Sequence, residues 1–171
     1  MIDGFRPARS AFPPLPHPRN PGYRSRMGSM WADTLLSMER AHVARLLAWG
    51  GGSVLAGSAL LAWMYMGRRS SALLEHFGIQ TTAWGAVELA LGAMAKATLV
   101  TRDLAAATRL DRFLWLNIGL DAGYAFVGVT LVAVGWTLGR RLGLVGAGIA
   151  VVIQGIALAL LDLLLASQIS R

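Results

Sequence analysis

Between Phe113 and Leu138 lie 26 residues with one formal charge, Asp121. An apolar run of about 20 residues or more is long enough to cross a bilayer as a helix. A carboxylate inside such a run costs roughly 2.5–3.5 kcal/mol on insertion scales. The chain must therefore fold so that this group is tolerated or used.

Three further apolar blocks share this character, and the spans expected are about 43–66, 78–100, 113–138 and 142–169. Gly67-Arg68-Arg69 and Gly139-Arg140-Arg141 interrupt the runs and turn them back. The fold class expected is an all-α membrane protein, with four transmembrane helices arranged as two antiparallel hairpins. Its hydrophobic content of 55% exceeds that of an ordinary soluble domain, and these residues are gathered in blocks rather than scattered. Residues 1–29 hold all six prolines and five arginines and too few aliphatic groups for a core. They are expected to be a disordered basic tail; on an alternative reading they are an upstream extension, with Met27 or Met30 as the start. No apolar core of about 7–15 residues occurs in the first forty, so no secretory signal is expected. Residues 30–42 are expected to be an interfacial helix leading into the first span.

The formal net charge is +7. Most of the arginines flank the apolar blocks, where headgroups and topology account for them, so the bilayer rather than nucleic acid is the expected partner. The absence of cysteine excludes disulfides, thiolate metal sites and cysteine nucleophiles.

The polar residues inside the spans are few and spaced. Asn117, Asp121, Tyr124 and Gly128 form one stripe at i, i+4, i+7 and i+11. Gln80, Trp84 and Glu88 form another, and Gln154 and Asp162 repeat the Gln80–Glu88 spacing on the last span. That match suggests two hairpins in the same orientation, a parallel repeat. At about 1.5 Å per residue, Asp121, Glu88 and Asp162 fall roughly 12, 16 and 10 Å from the same boundary. Three carboxylates from three helices can then meet in one layer, with no lysine or arginine opposite them. Such a layer either fixes helix register through hydrogen bonds or binds protons or cations. Gly50, Gly57, Gly119 and Gly123 are expected to let helices approach closely, the last two as a GxxxG pair around Asp121.

His17, His42 and His76 fall in the tail, at the first span's entrance and in an outer turn, so no metal site or cofactor is expected from them. No P-loop, HExxH, nucleophile elbow or dinucleotide fingerprint occurs. Ser53 and Ser58 have no histidine beside them in a span, so no enzyme is expected. The leading functional expectation is a packing or interaction protein, self-associating or joined to a membrane partner. The alternative is a small oligomeric transporter or channel-like protein using the acids.

Gly78-Ile79-Gln80 with Ala83-Trp84-Gly85, Leu116-Asn117 with Gly119-Leu120-Asp121 and Gly123-Tyr124, and Gln154-Gly155 with Asp162 resemble a family of small uncharacterised bacterial membrane proteins with four helices. The resemblance covers about residues 43–168. It implies a four-helix integral membrane protein of the bacterial cytoplasmic membrane and carries no catalytic role.

If the N-terminus is cytoplasmic, twelve basic residues lie on the inner side and four, in the two Gly-Arg-Arg turns, on the outer. The positive-inside rule then predicts both termini cytoplasmic. A reporter fused after Arg171 is expected to read as cytoplasmic; an extracytoplasmic reading would reverse the orientation.

Overall fold

The structure, a computed structural model, describes residues 21–169. Four helices follow one another: α1 (Pro21–Met66), α2 (Ala72–Ala97), α3 (Leu104–Thr137) and α4 (Leu142–Ile169). No strand occurs among the described residues. Within them α1, α3 and α4 each hold a segment long and apolar enough to cross a membrane; α2 falls short of that composition.

The helix starts follow local chemistry. Ser71 caps α2, its hydroxyl accepting from the Leu74 amide at 3.4 Å. Asp103 caps α3, accepting from the Ala106 amide at 2.7 Å. The caps satisfy amides that have no partner within the helix, so each helix begins earlier than hydropathy alone suggests. α2 starts at Ala72 rather than 78, and α3 at Leu104 rather than 113. The loop expected over 101–112 shrinks to a short link, and Arg109, Asp111 and Arg112 stand on helix.

α1 is one continuous helix where a tail, an interfacial piece and a span were expected. Residues 1–20 of that tail lie outside the described residues; 21–29 are helical. Pro21 sits at the first helical position, where its missing amide costs nothing. Residues 30–42 continue α1 without a break. Leu35 and Leu36 are buried, and Met38 packs on Leu114, Leu165 and Ala166 of α3 and α4. These apolar contacts hold the helix straight through.

Both hairpin turns pass through a left-handed arginine. Arg68 (φ 47°) and Arg140 (φ 55°) take the left-handed conformation beyond the helix ends. The Arg69 amide donates back to the Met64 carbonyl at 3.0 Å, and the Arg141 amide to the Gly135 carbonyl at 2.7 Å. Arg69 stacks over Trp63 at 4.2 Å and Arg140 over Trp136 at 5.3 Å.

Packing follows a seven-residue period. Leu36, Val43, Gly50, Gly57 and Met64 are buried on α1, and Ala107, Leu114, Asp121, Gly128 and Gly135 on α3. Gly78, Gly85 and Gly92 do the same on α2. A strict heptad favours left-handed packing of helix pairs. Glycine lets the backbones touch. A Cβ built on Gly85 would lie 2.7 Å from the Gly50 carbonyl oxygen, and one on Gly155 would lie 2.6 Å from the Asp121 carbonyl oxygen. α1 thus packs on α2 and α3 on α4, while α4 also meets α2 and, less extensively, α1. These contacts make Asp162 the counterpart of Gly92, one turn away from the pairing with Glu88 that the Gln–acid spacing suggests.

Gly119 and Gly123 differ from the other pairs. A Cβ on either meets nothing within 4 Å, so their expected packing role within the chain is not seen. They lie on an exposed face of α3, while Asp121 between them faces inward. A GxxxG pair brackets a residue on the opposite side as readily as on its own.

Gly85→Val is expected to lower stability by about 1–3 kcal/mol through overpacking, and Gly123→Val to change it by less than about 0.5 kcal/mol. Denaturation of the purified variants in detergent measures both; equal losses would contradict the seam.

Candidate functional site

Glycine seams on both sides leave α2 and α3 apart. No Cα of α2 comes within 8 Å of a Cα of α3. The gap holds a cavity of about 640 Å³ with walls from all four helices. Trp84 and Tyr124 meet edge-to-face across it, ring centroids 5.1 Å apart and planes at 62°. At the mouth, the Arg102 Nε donates to both Glu39 carboxylate oxygens, at 2.7 and 2.9 Å. This pair ties the α2–α3 link to α1.

Three acids gather behind the aromatic contact. Asp121 on α3 and Asp162 on α4 line the cavity and are 7% and 9% exposed. Asn117, one turn from Asp121, also lines it. The His42 Nε2 on α1 lies 3.3 Å from Asp162 Oδ1. Its Nδ1 is buried without a hydrogen-bond partner. Glu88 on α2 is 1% exposed, and neither of its carboxylate oxygens has a partner. The acids interact in sequence: Asp121 acts on Glu88, and Asp162 on Asp121. They form a line of carboxyl groups from the α1–α2 seam into the cavity. A buried carboxyl without a cation or donor is costly, and several together more so.

The amides do different work. Gln154 is buried on α4 and bridges to α1: the Trp49 Nε1 donates to its carbonyl oxygen at 2.7 Å, and its own amide donates to the Ser53 hydroxyl at 3.1 Å. Gln80 is half-buried on α2, two turns from Glu88, outside the acidic group. Tyr124 is 41% exposed and takes part through its ring. Gly50 packs beside Glu88, its added Cβ falling 3.0 Å from the Glu88 Cβ; Gly57 packs on Gly78 and Thr82. Among the described residues, no three His, Asp or Glu side chains converge in a way that could hold a metal.

Two members escape a hydropathy reading. His42 looks like an entrance residue, yet it shares the buried side of α1 with Leu35, Glu39 and Val43. Their 3–4 spacing is the signal that could have found it. Arg102 looks like a loop cation; only the fold brings it to Glu39.

A bundle of this kind, with three helices suited to crossing a membrane around a partly acidic cavity, is that of an integral membrane protein. The chain belongs to DUF6992, a family of unknown function whose profile matches residues 45–163. No curated protein and no solved structure matches the chain.

Proposed function

We propose that this is a multi-pass protein of the bacterial cytoplasmic membrane that binds protons or cations at its acidic layer and performs no bond-making chemistry. α2 acts as the fourth span, since 26 residues extend about 39 Å as a helix. Both termini are cytoplasmic, so the Arg102–Glu39 mouth lies at the inner boundary. One observation carries the reading. Asp121 is 7% exposed; its backbone packs in the α3–α4 seam, yet it lines an open cavity. An intramembrane carboxylate facing a cavity is the arrangement that proton and ion sites use.

A purely structural role for the polar layer is favoured by the Gln154 bridge, which ties α4 to α1 by two hydrogen bonds. The two roles divide between the residues: the amide sets register and the acids bind. The cavity lining runs from Glu39 and Arg102 to Trp84 and Tyr124 and takes in no residue of the Gly-Arg-Arg turns, so passage across the membrane calls for a second copy or a partner. The exposed Gly119–Gly123 face of α3 suits close helix approach.

A pH jump on the purified protein is expected to give a carboxyl band in the infrared difference spectrum. Asp121→Asn should reduce this band by a third or more while leaving helix content unchanged. Identical spectra from wild type, Asp121→Asn and Asp162→Asn would leave the acids as packing groups only.

A further inference from the structure

The cavity has features that small inorganic ions do not need. Val87, Leu91, Phe113 and Leu120 line it, and each is about half exposed, at 49, 54, 56 and 50%. α2 and α3 make no backbone contact, so these exposed residues edge a slot between the two helices that opens sideways. In a membrane that slot faces lipid. Its volume of about 640 Å³ is that of a site for an organic molecule rather than a bare ion.

The charges inside are distributed unevenly. Arg102 is engaged by Glu39 at the mouth. Arg109 also lines the mouth, but it is exposed and stands twelve residues before Asp121, about 18 Å along α3. At the inner end, His42 stands against Asp162, while Asp121 faces the cavity with Glu88 behind it. The deep end is acidic and its walls are apolar. The aromatic pair Trp84–Tyr124 borders the same end, and aromatic faces attract cations, quaternary ammonium groups among them.

We propose that the slot between α2 and α3 is a binding site for a lipophilic organic cation, an amine or quaternary onium ion carrying apolar groups, which enters from the bilayer. Its positive centre rests between Asp121 and the faces of Trp84 and Tyr124, and its apolar groups lie along Val87, Leu91 and Phe113. The assignment rests on the acidic-site reading above and adds the ligand class. An anionic amphiphile fits less well, because its chain would lie against Asp121 and, of the two arginines in the lining, Arg102 is already engaged by Glu39. An alkali ion would need five or six oxygen ligands, and these walls are mostly carbon.

The test uses two ions of one shape and opposite charge, tetraphenylphosphonium and tetraphenylborate, on the full chain in nanodiscs by equilibrium dialysis. Saturable binding of the phosphonium is expected, with little or none of the borate. Asp121→Asn should weaken it at least tenfold, Asp121→Glu should restore it to within about threefold, and Trp84→Ala should weaken it several-fold. Val87→Trp keeps every charge and narrows the slot, so it should slow or abolish binding in a protein whose acidic layer is intact. Equal binding of both ions, unchanged affinity in Asp121→Asn, or no saturable phosphonium binding would overturn the proposal. If phosphonium binding is absent while the Asp121-dependent infrared band persists, the ligand class is wrong and the acidic site stands.

Discussion

Backbone contact at glycine is the constraint from which the rest of this bundle follows. Between transmembrane helices there is little hydrophobic drive, since lipid is as apolar as leucine, so close packing must supply the association. Gly50 against Gly85 and Gly128 against Gly148 bring the helices of each hairpin together at distances no side chain permits. α4 then joins the hairpins, with Gly146 set against the Leu73 backbone. What remains is the face where neither helix has glycine in contact, between α2 and α3. The cavity is the consequence of seams formed everywhere else.

The same seams make the acids expensive and therefore informative. Asp121 occupies a heptad position that α1 fills with Gly50, and its backbone touches Gly155. A leucine there could fill the cavity; a carboxylate keeps it polar. His42 stands against Asp162, whereas Glu88 has no such partner. An arrangement serving packing alone would more economically carry amides, as Gln154 does. The mouth follows the opposite logic, with Glu39 fully matched to Arg102. Glu39 is buried and Arg102 only partly so, and removing Arg102 would strand a buried carboxylate, which ties the α2–α3 link to α1.

Much of this can be read from the chain by elementary means. Long apolar blocks and the Gly-Arg-Arg turns mark α4 at Leu142–Ile169 and the ends of α1 and α3 within a residue or so, because hydropathy changes sharply there. The start of α2 and of α3 is set by single caps, Ser71 and Asp103, whose effect hydropathy does not register. Facing is harder. Gly119 and Gly123 have the spacing of a packing motif but lie on the outer face, since all-round apolar helices carry no strong amphipathic signal to orient them. His42 and Arg102 join the site through tertiary contacts 120 and 63 residues away in sequence, and spacing along one helix cannot reveal such partners.

The central claim is that Asp121 faces a cavity open between α2 and α3 while Glu88 is sealed in the α1–α2 seam. The chain contains no cysteine, so single cysteines report cleanly. In membranes, the cysteine of Asp121→Cys is expected to react with a small membrane-permeant maleimide at least tenfold faster than that of Glu88→Cys. Val87→Trp added to Asp121→Cys should slow that reaction. Equal rates at the two positions, or a rate at position 121 indifferent to Val87→Trp, would contradict the account.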